Sequence, residues 1–179
     1  MENPQITSTN GVTFFFRKGI TESQIEELIG YAQTDEGVKH FTSDATRFAS
    51  RDSFNNWRKP NAVFYTLVDE NNRLMGIIWL EELELPQFEI PKNIEINAID
   101  PNDYHTTFAI RLYDKARGQG LSSKFTQLAL EDYKLHHPEA DIWLATSPDN
   151  TPAINSYKKS GFIELGMRQD GQKLIMILP

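Results

Sequence analysis

The sequence has no cysteine among its 179 residues. That excludes a disulfide framework, a cysteine-ligated zinc site and a cysteinyl acyl intermediate. Long apolar runs are missing too. No stretch of 18 apolar residues occurs, so no segment reads as a membrane-spanning helix. The first residues, Met1-Glu2-Asn3-Pro4, lack the basic and apolar regions of a signal peptide. A soluble, cytoplasmic protein is the expectation. Positive charge is in short supply: 18 Lys and Arg against 25 Asp and Glu give a net charge of −7, and the pI is near 5.1. Nonspecific nucleic-acid binding needs a basic surface and is not expected. Apolar residues make up 39% and aromatic residues 11% of the chain, which argues against disorder. A chain of this size buries roughly 70% of its extended surface, so one domain over residues 1–179 is expected to form its core without staples.

The acidic excess is concentrated. Glu81, Glu82, Glu84, Glu89, Glu95, Asp100 and Asp103 stand against Lys92 alone, so this stretch holds −6 of the −7. It reads as an insertion around 81–103, either a solvated loop or a negative wall that draws in a cationic partner.

Periodicity assigns the elements. Residues 11–17, 62–68, 74–80, 106–112, 141–145, 162–167 and 173–178 read as strands. The adjacent Glu81 and Glu82 break the alternation, which suggests a bulge or a strand end there. Thr21 and Gln24 have capping-box spacing ahead of the apolar face of Ile25, Leu28, Ile29 and Ala32. Ser50 is placed to cap a second helix that stops before Pro60. Residues 120–137 and 151–160 read as the third and fourth, the last with Pro152 in its first turn and Gly161 as its stop. Asp69 to Arg73 and Asp170-Gly171 read as hairpin turns. The expectation is an α/β (α+β) fold: a mixed seven-stranded sheet flanked by about four helices.

Two motifs carry chemistry. Arg117-Gly118-Gln119-Gly120-Leu121-Ser122 follows a strand and opens a helix. Glycines permit a tight turn and close approach of a ligand, and the free N–H groups at a helix start favour an anion. The Gly-Lys-Ser/Thr ending of a P-loop and the third glycine of a dinucleotide fingerprint are both absent. Downstream lies the run from Asn150 through Ala153, Tyr157 and Gly161 to Phe162.

Together the two motifs resemble the GNAT acetyltransferase superfamily, with its Gln/Arg-x-x-Gly-x-Gly/Ala turn and a later Asn-x-x-Ala-x-x-x-Tyr-x-x-x-Gly-Phe run. The second matches at every fixed position. The first matches Arg117 and Gly120 and has Ser122 where Gly or Ala is usual. The resemblance implies a splayed sheet that holds acetyl-CoA as co-substrate, with no metal. It places the amides of Gly118, Gln119, Gly120, Leu121 and Ser122 on the pyrophosphate. It places the backbone of the strand ending near Leu112 against the pantetheine and acetyl group, Asn150 on the pantetheine arm and Tyr157 at the sulfur.

The chemistry stands beside the resemblance. Acyl transfer from a thioester needs a neutral amine, a stabilised oxyanion and a protonated leaving group. Asn150 and Tyr157 are two helical turns apart and share a face. A phenol with pKa of about 10 keeps its proton near neutrality and can give it to a thiolate. Asn150 is equally a helix cap. The strand 106–112 contains no acid, so the base has no obvious owner; His105 just upstream and Glu82 on the preceding strand are candidates. The reading is an N-acetyltransferase that moves acetyl directly to a primary amine in a ternary complex, the acceptor drawn in as a cation by the acidic stretch. The alternative is a non-catalytic acyl-CoA-sensing module of the same fold.

Overall fold

The computed structural model describes residues 4–89, 100, 103–113 and 115–179. Its centre is one sheet built from β1 (Gln5–Thr7), β2 (Thr13–Lys18), β3 (Val63–Val68), β4 (Leu74–Glu82), β5 (Phe88–Glu89), β6 (Thr106–Leu112), β7 (Ile142–Thr146), β8 (Ile163–Arg168) and β9 (Leu174–Leu178). The spatial order is β1-β2-β3-β4-β6-β7-β9-β8-β5. Every neighbouring pair is antiparallel except β6 and β7.

Side chains alternate across the strands and split the core into two layers. Ile78, Leu80 and Phe108 face α5 (Ser122–His136) and α6 (Thr151–Lys159), meeting Phe125, Ala129 and Ile154. On the other face Ile77 and Trp79 meet Ile25 and Leu28 of α1 (Glu22–Thr34), together with Phe48 and Phe54. Three short helices complete that layer: α2 (Glu36–Phe41), α3 (Asp44–Arg47) and α4 (Arg51–Trp57). No described helix is long and apolar enough to cross a membrane.

The described residues thus form nine strands and six helices, against the seven and four expected. The additions are short: β1 and β5 have three and two residues, and α2 and α3 have six and four. Segments that short show no period; β1 and β5 exist through pairing at the sheet margins, and α2 through the Asp35 carboxylate that caps it from Val38 N. At Glu81 and Glu82 the strand end expected there is found and the bulge is not, β4 stopping at Glu82. β4 runs through both, opposite Thr107 and Thr106. The pattern looks broken because the two acids lie on opposite faces, Glu81 buried and Glu82 exposed. The register shift in this region lies instead between Leu67 and Val68 on β3. Most of the acidic insertion, including the side chains of Glu89, Lys92 and Glu95, lies outside the described residues.

One feature of the topology makes a cleft. β6 and β7 pair only at Thr106↔Ile142 and Thr107↔Trp143. Beyond that point β6 stays with β4 as far as Gly76↔Leu112, while β7 stays with β9 as far as Thr146↔Leu174. The two halves of the sheet part, and residues 108–112 have a strand on one side only.

Candidate active site

The glycine turn stands at the mouth of this opening. Tyr113 N donates to Met75 O (3.0 Å), and the Tyr113 carbonyl accepts from Ala116 N and Arg117 N at 2.8 and 2.9 Å. Gly118 and Gly120 then take φ of +75° and +73°, a region that side chains resist. The hairpin between β1 and β2 braces the turn, since Thr9 N donates to Gln119 O at 3.1 Å. The next residues start α5, whose N-cap position is Leu121 and carries no side-chain cap. Its first N–H groups therefore point outward unclaimed, as an anion site needs. Ser122 Oγ is bonded to Ser156 Oγ at 2.6 Å, which ties the start of α5 to α6. Leu121 is buried in the core, and Gln119 Nε2 donates to the Lys115 carbonyl.

Arg117 does a different job from the amides around it. Its Nη2 reaches both oxygens of Asp35 (2.9 and 2.8 Å) and the Leu112 carbonyl (3.1 Å). Asp35 also caps α2, so one ion pair fastens the turn to the α1–α2 corner.

Across the opening, α6 presents Asn150 and Tyr157. Asn150 caps the helix through Oδ1, which accepts from Ala153 N at 3.3 Å. Tyr157 is 8% exposed and packs against Phe108 and Phe162, ring centroids 6.4 and 6.0 Å away. Its hydroxyl makes no hydrogen bond among the described residues. Burial raises the phenol's pKa and outweighs the opposing charge of Arg111, so the proton stays on oxygen at neutral pH.

The candidate bases part company here. His105 is exposed just ahead of β6, its carbonyl held by Leu83 N at 2.8 Å. Glu82 is exposed and on the α5 side, where its charge reaches Tyr133. Glu81, which the sequence reading counted only within the acidic stretch, turns into the α1–α4 layer beside Trp79. It is 7% exposed, and its Oε2 is buried with no hydrogen-bond partner among the described residues. Burial raises its pKa, with Arg47 and Lys59 pulling the other way. The signal was available: Glu81 is two residues beyond the buried Trp79, hence on the same face.

Arg111 was also passed over. It leaves the open half of β6 toward α3, donating from Nε and Nη2 to Asp44 at 2.6 and 3.1 Å. Asp44, 1% exposed, also accepts from Arg47 Nη1 at 2.9 Å. The Arg111 guanidinium lies 4.9 Å from the Trp79 ring centre, and that of Arg47 5.6 Å from Trp57. Charges this buried persist because they are paired and bonded.

Glu81 has no such pairing, and this has a measurable consequence. Its folded-state pKa lies above its unfolded value, so folding favours the protonated form. The cost of the ionised form is absent below the unfolded pKa and grows as pH rises through the folded one. Glu81→Gln is therefore expected to raise Tm at pH 7 by roughly 2–4 °C, the shift produced by about 1 kcal/mol at this chain length. The gain should vanish toward pH 4. A Tm that falls at pH 7 would show instead that the carboxylate stabilises the fold.

A sheet that opens along its one parallel pair, with an uncapped helix start on one side and, among the described residues, a phenol without a hydrogen bond on the other, defines an α/β protein with an open cleft. The profile of the Acetyltransferase (GNAT) family matches residues 26–162, and the chain belongs to that family. Solved structures agree on the fold. The GNAT domain of S. lividans PAT matches with a TM-score of 0.65 at 16% identity, over 98% of this chain and 97% of that one. Spermidine N-acetyltransferase from Vibrio cholerae, in complex with CoA and spermine, gives 0.64 at 17% identity over 92% and 95%. Aminoglycoside acetyltransferase AAC(6')-Ib, in complex with coenzyme A and kanamycin, gives 0.61 at 20% over 92% and 93%. No curated protein matches the chain.

Proposed function

We propose that this protein transfers the acetyl group of acetyl-CoA directly to a primary amine, both substrates being held at once. The observation that carries the reading is the parting of β6 and β7 between the uncapped start of α5 and the free hydroxyl of Tyr157. The chain's own groups suit the co-substrate. The amides of residues 118–122 offer donors to a pyrophosphate, and residues 108–112, whose second edge has no strand among the described residues, offer backbone groups to the amides of a pantetheine arm; Asn150 caps α6 through Oδ1, and its amide NH₂ has no partner among the described residues.

In this reading the acceptor nitrogen attacks the thioester carbonyl carbon, a C–N bond forms and the C–S bond breaks. The proton from the ammonium passes to Glu81, directly or through water. Tyr157 Oη gives its proton to the departing thiolate. Glu81 suits the first role better than Glu82 or His105, because it is buried, unpartnered and on the face that Trp79 and Ala109 share. Desolvation that raises a carboxyl pKa makes it a stronger acceptor of a proton near neutrality.

The test is thiol release from acetyl-CoA across a panel of amines, with the acetylated product identified by mass. Release that requires an amine and yields an N-acetyl product is the expected result. Tight acetyl-CoA binding without turnover of any amine would point to the sensing module instead.

A further inference from the structure

The α1–α4 side of the cleft is richer in positive charge than a carboxylate-lined amine site needs. Among the described residues, Arg47, Lys59, Arg111 and Lys173 lie within electrostatic reach of one another or of the carboxylates Asp44, Glu81 and Asp170. Four cations thus face three acids, of which Asp44 is shared by two arginines and Asp170 is paired with Arg168. Each of the three nitrogens of Arg111 donates, two to Asp44 and one to the Ile110 carbonyl. Arg47 makes one hydrogen bond, from Nη1 to Asp44, and its remaining donors are free among the described residues. Its side chain is 30% exposed and lines a groove with Ser43, Thr46, Ser53, Asn56 and Trp57, which holds hydroxyls and an amide but no acid. Lys173 has one long contact, 3.4 Å to the Phe41 carbonyl. Burial, followed by the charges of Arg168 and Arg111 and then of Arg47, pushes its ammonium pKa down against the opposing charge of Asp170.

Set against this excess is Glu81, whose buried Oε2 has no partner. A buried acceptor without a hydrogen-bond donor among the described residues, and cations that outnumber the acids around them on the same α1–α4 face, are complementary.

We propose that the acceptor is an amine that also carries a small oxyanion, a carboxylate or a phosphate, its ammonium meeting Glu81 and its anionic group meeting Arg47 and Lys173. The proposal rests on the acetyltransferase reading and narrows it to amino-acid-like acceptors. It keeps the expectation that the acceptor carries a positive charge and adds a negative charge to it. The rim acids Glu82 and Glu84, exposed to solvent, then act on encounter and not on the bound acceptor.

The experiment compares matched acceptors by thiol release: amino acids, their carboxamides, the corresponding decarboxylated amines, aminoethyl phosphate and spermine. Anion-bearing amines should exceed their neutral counterparts in kcat/KM by roughly 10- to 100-fold, the range set by charge-assisted hydrogen bonds. Aminoethyl phosphate against the amino acids tells which oxyanion the subsite takes. Arg47→Gln should bring the preference close to one, Arg47→Lys should restore part of it, and acetyl-CoA KM should hold in both. Lys173→Gln gives an independent reading if Arg47→Gln fails to fold. Equal or better turnover of the carboxamides, the decarboxylated amines or spermine overturns the proposal and leaves acetyl transfer standing. If no amine is turned over, the transferase reading fails, and calorimetry on the CoA-saturated protein still decides the subsite. Binding of an amino acid that Arg47→Gln abolishes supports it, and absence of binding rejects it.

Discussion

Tyr157→Phe is expected to lower kcat by roughly 10²–10⁴-fold, the usual contribution of a positioned proton donor, with acetyl-CoA affinity almost unchanged. The substitution is unusually clean here. Phenylalanine keeps the ring contacts with Phe108 and Phe162 and removes only Oη. That oxygen has no partner among the described residues, so no bond is broken and nothing is left unsatisfied; Tm should stay where it is. Tyr65 is the instructive contrast. Its hydroxyl donates to Asp132 Oδ2 at 2.8 Å, and Asp132 also holds Lys18. Tyr65→Phe should thus cost stability and spare kcat, the reverse pattern. The pH profile adds a second readout. Burial keeps the Tyr157 proton on oxygen well past neutrality, so the limb that Tyr157 sets should appear at high pH, opposite the low-pH limb expected from protonation of Glu81, and Tyr157→Phe should lose the high-pH limb alone. A Tyr157→Phe protein with near-normal kcat would move the leaving-group proton to water or another group.

The parts of this molecule that were readable from the chain are those whose signals are local. The capping box at Thr21 forms both of its bonds, Gln24 N to Thr21 Oγ1 at 3.3 Å and Thr21 N to Gln24 Oε1 at 3.0 Å. Asp69 turns the β3–β4 hairpin by accepting from Asn71 N and Arg73 N, and Gly171 turns the last hairpin with φ of +69°. The glycine turn and the Asn150 to Phe162 run could be found because each is a contiguous stretch with a backbone or helical reason for its spacing. What stayed hidden was long-range. Asp44 and Arg111 are 67 residues apart, and nothing in either neighbourhood announces the other. Arg117 looked like part of a phosphate cradle, whereas its guanidinium is committed to Asp35, 82 residues away. Glu81 was hidden differently. Counting seven acids as one patch treats them as a single surface, but a pleated strand sends neighbours to opposite faces, and of the adjacent pair Glu81 enters the core side while Glu82 faces solvent. Reading charge by strand face rather than by stretch would have separated Glu81 from Glu82.

The other large effect is expected at Gly120. Gly120→Glu should weaken acetyl-CoA binding by roughly 100-fold, the loss of charge-assisted bonds to a phosphate. Three causes combine. The residue sits at φ of +73°, where a side chain costs about 1–2 kcal/mol. A Cβ there would meet Thr9 Cγ2 at 2.8 Å, so the brace between the β1–β2 hairpin and the turn must shift. And a carboxylate would occupy the uncapped start of α5, competing as an anion for the N–H groups the phosphates need. Two controls separate the causes. Gly118→Ala has the same sign of φ with nothing within 4 Å of its Cβ, so it measures strain alone. Gly120→Ala adds the clash but not the charge, and Thr9→Ser in the same protein removes the offending methyl and should recover part of the lost stability. If binding follows the charge, Gly120→Ala with Thr9→Ser should bind acetyl-CoA within a few-fold of wild type by calorimetry, while Gly120→Glu with Thr9→Ser should not. A folded Gly120→Glu protein with unchanged affinity would mean that the pyrophosphate rests elsewhere and that the turn serves only to send the chain from β6 into α5.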